Sequence, residues 1–526
     1  MAASKTRKSA QSQAHKSIGV IRLTAELYNP DTDQVETKAF ELKIPKEQLV
    51  AANDMDSFTK LMSDSETIVQ EAGTEIMSLC MKSIASQAGA QYQKPKKKKQ
   101  LIRLLTTAGG MMPVNCPMSV HSPKTIIKTD HVKDLMLYSQ TVLHSYREAC
   151  SFFEKCYPGF QIRPRTLHDF VSSAADEIHQ AKLQQREQIL SAVTTVDPCT
   201  GEQPKLQVEE QLPPLLSGLS VGVLSHMYNS SLSEDAPKIP LSAQCNLRLE
   251  ASYSDAVYIR PDDIGVKRQK EKRGTDRRPD ELKTVQNSII HVEWNGHRYI
   301  INESSMRDAF LSCTAFLIRN GCLNKRLVVL TDGARNITQA IQDEWFPMGL
   351  RPDIILDWFH LEKRCYELLS SAYIGSKDYK RNVLTRLKSF LWINDQQKAK
   401  DYIAYLISQH PAQAKKLTAI IDYLDRKSPY LTCYALRKYL GLTTSSNRVE
   451  KANDMVVAAR QKHQGMSWSK LGSTKLASIS AAYHNKLLCF GIENGFAKVD
   501  WFSHQPTLYD HVISNSEAQG LTMMAA

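Results

Sequence analysis

Residues 251–373 alternate between two hydrophobic periods, and the order of that alternation restricts the fold more than any other property of the chain. VYIRPDD, SIIHVEWNG and HRYIINES are short runs rich in β-branched and aromatic residues, and an Asn-Gly turn joins the last two. MRDAFLSCTAFLIRNG then takes up helical spacing. RLVVLTDG is a buried strand, ITQAIQDEWF is helical again, and DIILDWFHL returns to a strand.

This order, three strands and then helix, strand, helix, strand, is that of a ribonuclease-H-like core, whose first three strands form a meander. The expected fold class is α/β: a mixed-sheet core of that kind, interrupted by an all-helical insertion and preceded by a mainly helical DNA-binding region. The insertion is placed at 374–440, where RNVLTRLKSFLWI, QQKAKDYIAYLISQ and LTAIIDYLDRK are helical in pattern, and the core resumes over 441–500. Upstream, residues 1–17 read as a disordered basic tail. VIRLTAEL and ETKAFELKI form a hairpin that opens an 18–99 region, otherwise helical. Residues 100–196 read as helical, with two helices around YPGFQIRPR that can form a helix-turn-helix. Proline, glycine and serine crowd 197–250, which reads as a linker, and 501–526 is a C-terminal tail.

Two acids close strand-like runs, Asp262 in VYIRPDD and Asp332 in RLVVLTDG, and a third, Glu450, lies in the helical RVEKANDMVVAARQK. Carboxylates delivered this way can converge on two divalent cations, as metal-assisted phosphodiester chemistry requires. Mg²⁺ suits such a set because it prefers oxygen ligands, few of them from protein; Mn²⁺ can stand in for it. Asp262 is expected as the central ligand because it stands where the first strand ends. Asp263, directly after it, is the alternative.

A formal net charge of +12 favours a polyanionic partner. Seven of the twelve residues over 267–278 are basic, among them Lys267, Arg268, Lys270, Lys272, Arg273, Arg277 and Arg278. In a loop beside the first acid they suit phosphate positioning rather than base reading. Lys96, Lys97 and Lys98 belong to a second basic run, either a solvated linker or a phosphate contact. No apolar run is long enough to span a bilayer and no secretory stretch opens the chain, so a cytoplasmic, nucleoid-associated protein with no membrane partner is expected. The eleven cysteines form no CxxC pair and read as reduced thiols.

DDIGVKRQK, VVLTDGARNI, ILDWFHLEKR and SSNRVEKANDMVVAARQKHQGMSWSKLGS together resemble the DDE transposases of bacterial insertion sequences, especially the Kra-type family and its relatives. The resemblance covers roughly residues 100–126 and 250–490. It departs from the family where Ser446-Asn447-Arg448 replaces the usual Ser-Gly before the glutamate. It implies Asp262, Asp332 and Glu450 as a catalytic, metal-binding triad. It further implies that His360, in Asp357-Trp358-Phe359-His360, lies near the scissile phosphate. Trp392, the one tryptophan inside the insertion, reads first as core; the resemblance implies stacking on a flipped base as the other role.

The expected function is that of a DNA transposase. It would bind double-stranded DNA at transposon ends and target, cleave and transfer strands with two Mg²⁺ ions per site, and act as a homodimer or larger assembly on paired ends. Two alternatives stand beside it: a nuclease of the same fold that cuts without joining, and a domesticated, noncatalytic DNA-binding protein.

Overall fold

The computed structural model describes residues 17–29, 33–45, 73, 101–106, 110–115, 126–128, 130–157, 161–195, 205–206, 215–240, 249–270, 279, 283–372, 375–462, 465–488 and 496–504. The chain divides into two compact units, Met1–Met136 with Tyr146–Leu167, and Leu137–Ser145 with His168–Ala526. Among the described residues no helix is long and apolar enough to cross a membrane.

In the first unit, β1 (Ser17–Asn29) and β2 (Gln34–Pro45) pair antiparallel as the expected hairpin, with Asp33 at positive φ in its turn. The helical remainder expected after the hairpin within 18–99 lies almost wholly outside the described residues. The region from residue 100, expected to be helical, begins instead with strands: β3 (Leu101–Thr106), β4 (Gly110–Asn115) and β5 (Ile126–Lys128) form a sheet in the order β4-β3-β5. LIRLL is too short an apolar run to sustain a helix, and pairing claims it. Helices α1 (Asp130–Val142), α2 (Tyr146–Cys156) and α3 (Pro164–Val193) follow in the chain, and most of α3 belongs to the second unit.

The second unit holds a two-stranded pair, β6 (Thr194–Thr195) with β7 (Lys205–Leu206), and a mixed sheet built from β8 (Ala256–Lys267), β9 (Thr284–Trp294), β10 (His297–Glu303), β11 (Arg326–Thr331) and β12 (Asp353–Leu356). The five-strand order is β10-β9-β8-β11-β12. The meander β8-β9-β10 is antiparallel; β11 lies parallel to β8, and β12 parallel to β11. Helix α5 (Met306–Arg319), capped by Ser305, supplies the crossover from β10 to β11. Helix α6 (Arg335–Ala340) and a π turn over Ile341–Trp345 lead on toward β12.

The segment read as a linker contains a helix, α4 (Gly218–Ser230). Ser217 caps it by accepting a hydrogen bond from the Ser220 amide, so the Ser-Gly pair that suggested a linker marks a helix start. Val221 of α4 is fully buried with Leu249, Cys433 and Leu436. The tail is also corrected at its beginning. Trp501 and Phe502 are buried, and Tyr299 donates a hydrogen bond to the Trp501 carbonyl.

After β12 come α7 (Trp358–Ala372), α8 (Lys377–Trp392), α9 (Gln396–Gln409), α10 (Ala414–Lys427) and α11 (Tyr434–Tyr439). The helical stretch has no core of its own: Leu387, Ile403, Leu417 and Tyr434 join one apolar cluster with Tyr258, Val328, Leu330 and Ile355 of the sheet. Helix α12 (Asn447–Asn453) continues through a π turn, Asp454–Ala458, into Ala459–Gln461, and α13 (Lys470–His484) follows. These last two helices cover one face of the meander, where Ile264, Val266, Ile289 and Ile300 meet Val449, Ala452, Val456 and Ala477.

Candidate active site

Register explains how acids 70 residues apart in sequence (332 − 262) come together. The β11–β8 pairing ends at Val329↔Ile259, and the β11–β12 pairing ends at Thr331↔Leu356. Continuing each by its own step puts Asp332 level with both Asp262 and Asp357, and residues level in a parallel sheet share a face. Asp262 does not end its strand, as expected; β8 runs on to Lys267, paired only with β9. What ends beside Asp262 is β11. Pro261, which lacks an N–H, fits where one edge of the strand has lost its partner.

Asp262 and Asp263, as strand neighbours, point to opposite faces. Asp262 shares its face with Ile264 and Val266, which pack on α12. Its Oδ1 accepts from the Asp263 amide at 2.8 Å and its Oδ2 from Asn453 Nδ2 at 2.7 Å. Burial, reinforced by the charges of Asp332 and Asp263, pushes its carboxyl up to about 6 despite those two donors. Asp263 instead accepts from Ser288 Oγ and from Asn336 of α6, and burial raises its pKa also.

Asp332 sits in a tight turn, accepting from the Ala334 amide at 2.8 Å. Gly333 follows at φ +80°, where a Cβ would lie 2.9 Å from Leu356 Cδ1. The turn therefore requires glycine on both conformational and steric grounds. Lys427 Nζ donates to the Gly333 carbonyl at 2.6 Å; burial lowers the pKa of this lysine and the Asp332 charge opposes that.

Asp357 is fully buried and caps α7 through the His360 amide at 3.0 Å. It also bonds His360 Nδ1 at 3.0 Å and accepts from the Ser446 amide at 2.5 Å. Burial alone would raise its pKa, but these bonds hold it below the ordinary value. The same hydrogen bond raises His360, with the charges of Asp332 and Glu450 adding to it. His360 thus stands within the field of two of the three expected acids. Glu450 is exposed on α12, one turn before Asn453, and its carboxylate makes no hydrogen bond or ion pair among the described residues.

The turn that launches α12 is held from below by buried charges. Arg260 pairs with Glu293 at 2.8 Å and donates to the Ser445 carbonyl, while Arg448 also pairs with Glu293. Arg437 grips Glu250 with both terminal nitrogens, at 2.8 and 2.5 Å, and donates from Nε to the Thr443 carbonyl. Tyr258 donates to the same glutamate at 2.8 Å. Sequence reading missed these residues and Asn453. A charged residue inside an apolar strand, Arg260 in VYIRPDD, was the available signal.

Of the expected phosphate-binding residues, Lys267 and Lys270 are exposed and Arg268 is half-buried. Backbone bonds tie this segment to Trp468: Trp468 N donates to the Lys267 carbonyl and Gln269 N to the Trp468 carbonyl. Lys96, Lys97, Lys98, Lys272, Arg273, Arg277 and Arg278 lie outside the described residues. Trp392 is half-buried in packing, edge-on to Trp358 at 4.8 Å and stacked on Tyr434 at 6.1 Å, with Lys438 over its ring. Those neighbours give it the surroundings of a core residue.

Among the described residues no group of three or more His, Cys, Asp or Glu side chains is arranged to hold a metal ion. The chemistry of the donors still suits a hard cation. Asp262, Asp332 and Glu450 offer only oxygen, and the partly desolvated Asp262 has neutral donors and no cationic hydrogen-bond partner among the described residues. Compared with protein-family models, with curated proteins and with solved structures, the chain matched none.

Proposed function

We propose that this chain is a DDE-type DNA transposase, cleaving and joining phosphodiester bonds at the face where β8, β11 and α12 meet. The reading identifies the five-strand sheet with a ribonuclease-H-like core, and the strand order β10-β9-β8-β11-β12 with its antiparallel meander supports that. The observation that carries the proposal is the β8–β11 register, which, continued three residues past its last pair, sets Asp332 level with Asp262, with Glu450 on the helix packed over the same face.

Two Mg²⁺ ions, when bound, would activate the attacking hydroxyl and stabilise the leaving oxygen. Asp262 and Asp332 would hold them, and Glu450 would turn inward to complete the set. His360, oriented by Asp357 and raised in pKa, would hold a proton near the phosphate and favour negative charge there. Lys267, Arg268 and Lys270 would position the DNA backbone. Paired DNA ends imply a homodimer or larger assembly.

The test is incubation of the full chain with duplexes taken from both flanks of its own coding sequence and with target DNA, in Mg²⁺ or Mn²⁺. Joined products that disappear in Asp262→Asn, Asp332→Asn and Glu450→Gln are expected. Cut-only products would make it a nuclease, and binding without cleavage in either metal would make it a noncatalytic DNA-binding protein.

A further inference from the structure

Asn453 is 6% exposed and projects from α12 onto the acid-bearing face of β8. Its two amide atoms are treated unequally. Nδ2 donates to Asp262 Oδ2 at 2.7 Å, whereas Oδ1 is buried and accepts no hydrogen bond from the described residues. A buried carbonyl oxygen without a partner is costly, and native structures rarely keep one without a reason. Its neighbour Ala452 is fully buried in an apolar cluster.

The arrangement is coherent if the site alternates between two occupants. Without a cation, the amide NH₂ is the right group to face a carboxylate. With a cation on Asp262, the NH₂ would be repelled, and a half-turn of the amide would present Oδ1 with little change in shape. Amide oxygens are good ligands for hard divalent ions. Glu450 and Asn453 are three residues apart, so one helical face delivers both.

We propose that Asn453 is a cation ligand of this site, its amide turning over so that Oδ1 replaces Nδ2 opposite Asp262 when a divalent ion such as Mg²⁺ or Mn²⁺ enters. This rests on the metal-dependent reading of the site. It adds a neutral ligand to the expected acids, carried by the residue whose NH₂ group already faces Asp262.

Mn²⁺ binding to the full chain, followed by loss of the free-ion electron paramagnetic resonance signal without DNA, tests it. Asn453→Leu should weaken binding tenfold or more. Asn453→Asp should bind at least as tightly as wild type while lowering the metal-free melting temperature, because it sets a second carboxylate against Asp262. Asn453→Ser, too short to reach, should behave as Leu does and replaces it if the Leu variant does not fold. Wild-type Mn²⁺ affinity in the Leu or Ser variant, with binding lost in Asp262→Asn, would overturn the role of Asn453 and leave the metal site standing. No binding by wild type at millimolar Mn²⁺, or equal binding by Asp262→Asn, would overturn the metal site and this inference together. A purely structural Asn453 would lower the metal-free melting temperature without changing Mn²⁺ affinity.

Discussion

Two charge clusters lie side by side on one face of β8, and they are built on opposite terms. Toward the start of the strand, Glu250 and Glu293 each face an arginine, Arg437 and Arg260, with both pairs nearly or fully buried. Two residues on, Asp262 lies close to the charges of Asp263 and Asp332, yet its own hydrogen-bond partners are an amide side chain and a backbone N–H. The first cluster is neutralised from within and fixes the turn before α12. The second retains its negative charge at a place where burial penalises it. The fold supplies arginines to one cluster and neutral donors to its neighbour, and the proposed cation site falls at the second.

The largest effect is expected at the neutralised end. Arg437→Met should lower stability by about 3–5 kcal/mol in urea unfolding, since it leaves Glu250 buried and unpaired. A loss below about 1 kcal/mol would mean that the buried pair does not carry the turn.

His291 stands directly opposite Arg260 on β9 and gives the next largest effect. Burial first, and then the charges of Arg260, Arg448 and Arg298, depress its pKa to about 3 from an ordinary 6.5. Above 6.5 neither folded nor unfolded chain binds the proton. As pH falls from 6.5 toward 3 the unfolded chain takes it up and the folded one does not, so stability falls. The expected decline is about 2–4 kcal/mol across that window. His291→Gln should flatten it; an unchanged pH slope would contradict the assignment.

At the other end the sign should reverse. Asp262→Asn should stabilise the metal-free protein by about 1–2 kcal/mol at pH 7, because it removes a charge raised in energy by burial and by its neighbours. Thermal melts without metal would show this, and a destabilised variant would mean that the acid is internally compensated after all.

The smallest expected effect is at Asp357, which follows β12, the strand on the far side of β11 from β8. Asn caps helices nearly as well as Asp, so Asp357→Asn should lower stability by about 1 kcal/mol. It should let the His360 pKa fall back toward its ordinary value in an NMR titration. An unchanged His360 would show that Asp332 and Glu450, rather than Asp357, set its charge.

The order of strands and helices over 251–373 was legible because each element carries its own period. Asp332 was legible too, since the Asp-Gly pair closes an apolar run. The position of Asp262 was misjudged because Pro261 and two acids look like a strand end, whereas pairing with β9 carries the strand to Lys267. That outcome depends on a partner strand and not on local composition. The same holds for Leu101–Thr106, which joins a sheet, and for α4, whose cap resembled a linker. Arg260, Glu293 and Asn453 were invisible as a group because their meaning lies in contacts up to 191 residues apart in sequence.

The π turn over Asp454–Ala458 separates the two ends of the helix that bears Glu450. An extra residue in a helical turn rotates everything beyond it by about 100°. Upstream, Glu450 and Asn453 keep the angular phase that the sheet demands. Downstream, Arg460 reaches the His144 carbonyl and Gln461 reaches the Ser473 carbonyl in a different phase. Deleting one residue within the turn would leave the front of the helix aimed as it is and swing its rear contacts aside. The end of this helix that faces Asp262 and the end that bonds the His144 and Ser473 carbonyls are therefore free to be altered one at a time, with the wide turn acting as the joint between them.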